Sequence, residues 1–201
     1  MNFFYWLAVN LCWIYQKIFF RINVKGIENI PDRNNGYILT ANHLSYFDPF
    51  VVAKYVPDLI HFIATEEFFR YPVISNLMKY WECIAIKRNT ADRQALRDAL
   101  IYLHHNKVIG VFPEGGINKS GNIDQYQAGV ALLSINSGKP VLPVYIEGTR
   151  NLYRPSLLKR KSIFIHYKPV LDFRKISFDI SDNKEIRRKV LKLIEDQLKV
   201  S

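Results

Sequence analysis

Short apolar runs bounded by turn residues recur along this chain, each followed by a segment with helical spacing, and that alternation constrains the fold more than any one motif. Runs at 22–25, 37–39, 59–64, 83–86, 107–112, 141–146 and 162–167 read as strands. Between them, helical segments are expected from Phe50, across 66–80 with a break at Pro72, from a Thr90 cap to His105, across 126–136 with Gly138 as the stop, and across 182–199. The last opens on a capping-box pair, Asp182 and Glu185, and carries an apolar stripe of Ile186, Val190, Leu193, Ile194 and Leu198. Strand and helix in turn predict a single α/β domain over 22–201, with a mainly parallel central sheet flanked by helices. A chain of 201 residues, 49% of them hydrophobic, can bury such a core. Pro143 inside its apolar run predicts an edge strand or a bulge.

Parallel sheets gather their sites at the carboxyl ends of the strands. Three stretches fall there: His43 to Asp48, Lys87 with Arg88, and Glu114-Gly115-Gly116. In Thr40-Ala41-Asn42-His43-Leu44-Ser45-Tyr46-Phe47-Asp48-Pro49, Asp48 suits a helix N-cap and Pro49 the first helical position. His43 then lies in the loop, one short turn from a carboxylate. An imidazole oriented by an Asp is a general base near neutral pH, so His43 and Asp48 are the candidate catalytic pair. The plain alternative is a loop histidine beside a helix cap. Lys87 and Arg88 suit an anion such as a phosphate, or are a solvated charge pair. Gly115 and Gly116 let backbone N–H groups approach a ligand, or form an ordinary turn. Glu114 can accept a hydrogen bond from a substrate hydroxyl, or brace its loop.

The first 21 residues are rich in Phe, Tyr, Trp, Leu and Ile, with Asn10, Gln16 and Lys17 interrupting the apolar run before the ~20 residues that a spanning helix needs. The segment itself has no basic n-region and no small-residue cleavage site, so a signal peptide is not expected. The segment reads as an amphipathic helix, or helix pair, lying in a membrane interface, or else as a core helix with an aromatic face. The formal charge of +10, from 28 Lys+Arg against 18 Asp+Glu, attracts anions. Aromatics concentrated at the N-terminus, not interleaved with Lys and Arg, favour an anionic membrane surface over nucleic acid. Cys12 and Cys83 have no metal-type spacing and suit free thiols in a reducing compartment. His104-His105 reads as a helix end, and no metal or cofactor is expected.

The decapeptide resembles the H-x-x-x-x-D signature of the glycerolipid acyltransferases, the lysophosphatidic acid acyltransferase family. Three further blocks follow in order: Ile86-Lys87-Arg88, Phe112-Pro113-Glu114-Gly115 and Val141-Leu142-Pro143-Val144. The resemblance implies a His43–Asp48 pair that moves an acyl chain from acyl-CoA or acyl-carrier protein to a lysophospholipid such as 1-acylglycerol 3-phosphate. Lys87, Arg88, Glu114, Gly115 and Gly116 would hold that acceptor, on the cytoplasmic face of a membrane. Direct transfer is implied, since no G-x-S-x-G supplies a covalent nucleophile. The chain departs from the family where the third block usually continues with Thr and Arg: Gly116 and Ile117 stand there, with Lys119 as a substitute cation. Lys87 replaces a common acidic residue, and Gln127 a common basic one. Another lysolipid or an aminoacyl lipid acceptor, a hydrolase that activates water through His43, and a non-catalytic basic membrane-binding module stay open at this level.

Overall fold

All seven expected strands form, within one or two residues of their expected ends. The computed structural model describes residues 3–87, 92–117, 129–175 and 183–198. In chain order the elements are α1 Phe3–Phe19, β1 Phe20–Lys25, β2 Ile38–Ala41, α2 Asp48–Ala53, β3 Ile60–Thr65, α3 Pro72–Tyr80, β4 Ile84–Ile86, α4 Arg93–His104, β5 Val108–Val111, α5 Gly129–Ser137, β6 Val141–Glu147, β7 Lys161–Tyr167 and α6 Asn183–Leu198. Tight 3-10 turns add Glu66–Arg70 and Thr149–Tyr153. The sheet has the order β1-β7-β6-β2-β5-β3-β4. From β6 to β4 neighbouring strands run parallel. β7 turns back against β6, and β1 lies parallel to β7.

The two-residue period of the strands sends alternate side chains into two separate cores. Leu39, Ala41, Val108, Leu142 and Val144 join α1, α2 and Trp81 on one face. Ile38, Ile109 and Val141 join α4, α5 and α6 on the other. β2, the fourth of the seven strands, is buried along its whole length. This makes a three-layer α/β/α domain in which β2, β5, β3 and β4 end on one common edge.

Pro143 is not on an edge strand: β6 pairs with β2 on one side and β7 on the other. The bulge alternative holds. Val141 faces Leu171 and Val144 faces Tyr167, so two residues of β6 oppose three of the partner strand. The carbonyl of Pro143 accepts from Lys168 N there at 2.8 Å, and the proline's missing N–H falls on that same interrupted ladder. The cap of α4 is Asp92, whose Oδ1 accepts from Gln94 N and Ala95 N, both at 3.1 Å. Thr90 and Asp182, the expected caps, lie outside the described residues, as do positions 126–128 of the expected 126–136 helix. On α6, Val190, Ile194 and Leu198 are buried, whereas Leu193 of the expected stripe is exposed.

α1 is a single helix that runs directly into β1. Tyr5 and Val9 enter the core, while Phe3, Phe4, Leu7, Leu11, Ile14 and Ile18 stay exposed on the other side. The core reading holds for the buried side, and the helix-pair alternative is corrected to one helix. Among the described residues no helix is long and apolar enough to cross a membrane.

Candidate active site

The buried strand β2 delivers its chain to the sheet edge, where Asn42 ends the ladder in an unusual way. Its side chain donates to the carbonyl of Ile146 at 2.8 Å and accepts from the Ile146 N–H at 2.7 Å. The amide thus copies a backbone pairing with β6 and releases the main chain into the loop that carries His43. Asp48 closes this loop. Its N–H donates to Ser45 O at 3.0 Å, and its Oδ2 accepts from Leu44 N at 2.6 Å, Ser45 N at 2.7 Å and His43 Nδ1 at 3.0 Å. Charged acceptors make the stronger hydrogen bonds, and this carboxylate is wholly buried beside an imidazole that is 13% exposed. The expected helix cap is therefore corrected. Asp48 is the first residue of α2, after a Phe47 that makes no side-chain cap, and its carboxylate turns back to the histidine loop.

Because Nδ1–H points at Asp48, Nε2 keeps the free lone pair of the neutral ring. The imidazole lies on Phe112 with ring centroids 4.2 Å apart and planes at 22°. From the loop after β5, Glu114 Oε1 accepts the His43 N–H at 3.2 Å, so the bracing alternative describes that oxygen. Tyr153 receives the N–H of Tyr46 on its hydroxyl at 2.9 Å. Phe47 stacks on Tyr15 of α1 at 6.2 Å, whose own hydroxyl donates to Leu152 O at 2.8 Å. The loop is thus gripped from β6, the loop after β5, α1 and the 3-10 turn after β6.

Of the residues singled out in the sequence, His43, Asp48 and Glu114 come together. Gly115 takes a left-handed φ of 68° and donates to Phe112 O at 3.1 Å, a turn that only a glycine adopts without strain. Gly116 follows in the same half-buried loop. Lys87 stands at the end of β4, three strand spacings or ~14 Å from β2. It is exposed, and its N–H donates to Asp92 Oδ2 at 3.0 Å. Arg88, Lys119 and Gln127 lie outside the described residues. His105 closes the end of α4 through Ile101 O at 2.8 Å. Among the described residues no group of three or more His, Cys, Asp or Glu side chains converges as a metal site requires.

Asn42, Phe112, Tyr153 and Tyr15 were not singled out by sequence reasoning. An amide directly after a fully apolar strand was the available signal for Asn42. The others depend on contacts far apart in the chain.

A family model described as Acyltransferase matches residues 21–147. The 1-acyl-sn-glycerol-3-phosphate acyltransferase of Borreliella burgdorferi is 27% identical over 183 residues, which is 87% of this chain and 72% of that protein. The chloroplastic 1-acyl-sn-glycerol-3-phosphate acyltransferase of Arabidopsis thaliana is 26% identical over 133 residues, covering 65% of this chain and 37% of that longer one. Among solved structures, the crystal structure of the 1-acyl-sn-glycerophosphate (LPA) acyltransferase PlsC from Thermotoga maritima superposes with a TM-score of 0.71 at 26% identity. That match covers 94% of this chain and 78% of the other.

Proposed function

Starting from the fact that this chain belongs to the Acyltransferase family and is an acyltransferase enzyme, we propose that it acylates the free hydroxyl of 1-acylglycerol 3-phosphate. The donor is an acyl thioester, acyl-CoA or acyl-carrier protein, and the product is phosphatidic acid. The observation that carries this reading is the 3.0 Å contact between His43 Nδ1 and a buried Asp48 carboxylate. The names borne by the relatives support the choice of acceptor.

In this reading His43 Nε2 takes the hydroxyl proton as the acceptor oxygen attacks the thioester carbonyl carbon. Asp48 holds the ring and stabilises the imidazolium that forms. When the tetrahedral adduct collapses, the C–S bond breaks and the imidazolium returns its proton to the departing thiolate. The new ester is the only acyl product, and no covalent acyl-enzyme is formed. Lys87, Arg88 and the Gly115-Gly116 backbone bind the acceptor, with Lys119 in place of the family's arginine. The exposed side of α1 rests on the anionic cytoplasmic face of a membrane, where a net charge of +10 is attracted.

A thioester-release assay on the purified protein tests this. Free thiol should appear with lysophosphatidic acid and not with lysophosphatidylcholine or glycerol 3-phosphate. Thiol release without any acceptor would mark a hydrolase. His43→Ala should lower turnover about 100- to 10,000-fold with the fold intact. The double substitution L7D/L11D on the exposed side of α1 should abolish partitioning onto anionic vesicles, and unchanged partitioning would sink the membrane reading.

A further inference from the structure

One hydrogen bond cannot orient an imidazole by itself. The Asp48 contact pins the Nδ1 edge of His43 and leaves the ring free to roll about the line joining the two atoms. A second restraint, a flat surface against the ring face, removes that roll. Phe112 supplies the surface. It extends from the loop just past β5, where it needs backing of its own.

We infer that Phe62 and Gly110 are positioning residues for His43, acting through Phe112 as a stacked column that runs beneath the imidazole. This rests on the reading of His43 as the proton acceptor. Phe62 pairs with Gly110 across the β3–β5 ladder, so the two point to one face of the sheet, as does Phe112 two residues further on. Gly110 has no side chain, and the Phe62 ring lies over its bare backbone. A Cβ built on Gly110 would stand 2.4 Å from Phe62 Cδ1, 2.5 Å from Cε1 and 2.7 Å from Ile60 Cγ2. Backbone conformation does not require a glycine here, since Gly110 is not among the residues with positive φ. Room for the ring is what requires it. From that position Phe62 stacks on Phe112 with centroids 5.6 Å apart and planes only 8° from parallel. Phe62 is 6% exposed, so the column stands on the packed core and not on solvent. The sequence run Val108-Ile109-Gly110-Val111-Phe112 thus places a gap and a platform two residues apart on the same face.

Two variants test the column from opposite directions. Phe62→Leu removes the lower ring, and Gly110→Ala fills the space in which that ring lies. Each should lower kcat about tenfold or more with KM unchanged, because small misalignments of a reacting group carry such losses. The pair G110A/F62L should cost no more than the worse single variant, since both changes act through one column. In the NMR spectrum the Cε1–H proton of His43 should lose its upfield ring-current displacement in both. A role confined to stability would lower the melting temperature and leave that resonance in place. If Gly110→Ala fails to fold, Phe62→Leu carries the test alone, because it inserts nothing. Folded variants with kcat within twofold of the parent, or a lowered kcat with the His43 resonance unmoved, overturn the column while an inactive His43→Ala leaves the base assignment standing. Full turnover by His43→Ala overturns both.

Discussion

Two strand ends on one sheet edge are built in opposite ways. At the end of β2, His43 is held through its ring by Asp48, through its face by Phe112 and through its N–H by Glu114. At the end of β4, Lys87 is an exposed cation on a three-residue edge strand. Its backbone N–H is tied to Asp92, whose carboxyl is held below the usual range by the N–H groups of Lys87, Ala95 and Gln94. Proton transfer works only over hydrogen-bond distances and angles, so its groups must be immobilised. Attraction of an anion extends over roughly a Debye length, about 8 Å at physiological salt, and needs no such exact alignment. The contrast fits the division of labour proposed above, with proton transfer at the braced end and anion capture at the exposed one.

Asp48→Asn strikes the braced end hardest. An amide matches the carboxylate in size but brings no charge to the three donors on Oδ2, and kcat should fall about 100-fold or more with KM little changed. A raised KM with unaltered kcat would invert the comparison. Asn42→Ala comes next. It leaves the Ile146 N–H and carbonyl without their buried partner, at about 1–3 kcal/mol for each group. Denaturant unfolding should show that loss, and turnover should fall with it as the loop loosens. Lys87→Ala should act at the other end alone, raising KM for the acceptor by about tenfold at most while kcat stays within twofold. Added salt should shrink the difference between parent and variant.

The smallest effect lies between the two ends, on β3. His61 is buried against Tyr102, with ring centroids 4.2 Å apart, and burial lowers its pKa although Glu82 opposes the shift. The unfolded chain therefore takes up a proton that the folded one refuses. Its contribution to stability is present above the unfolded pKa of ~6.5 and is lost as pH falls below it. His166, also lowered by burial, acts in the same direction. Stability measured by denaturant should decline from pH 7 to pH 5, and His61→Asn should flatten that slope. An unchanged slope would remove His61 from the account.

The strands and their mainly parallel pairing were legible because parallel strands buried on both faces are near-continuous apolar runs. The pairing of His43 with Asp48 was legible because five residues at a strand–helix junction can close a single turn. The place of Asp48 in the helix was not legible: an acid before Pro49 looks like a cap in sequence, whereas Asp48 is the first residue of α2 and its carboxylate serves the loop's N–H groups. The interior place of Pro143 was hidden for a similar reason, since the interrupted ladder that tolerates it is made by residues 168–170 of another segment. Asn42, Phe62 and Gly110 act through partners on other strands, and no local spacing announces such partners.

The double nature of α1 has one more outcome. Tyr15 stacks on Phe47, and Phe47 is joined by a single peptide bond to the acid that steers the imidazole. If lipid grips the outer side of this helix, lateral pressure in the bilayer has a short mechanical route to the reacting ring. Curvature and packing of the host membrane then alter the speed of each turnover as well as the number of molecules attached. Shaving the helix away to obtain a handier enzyme would strip the floor from beneath the loop.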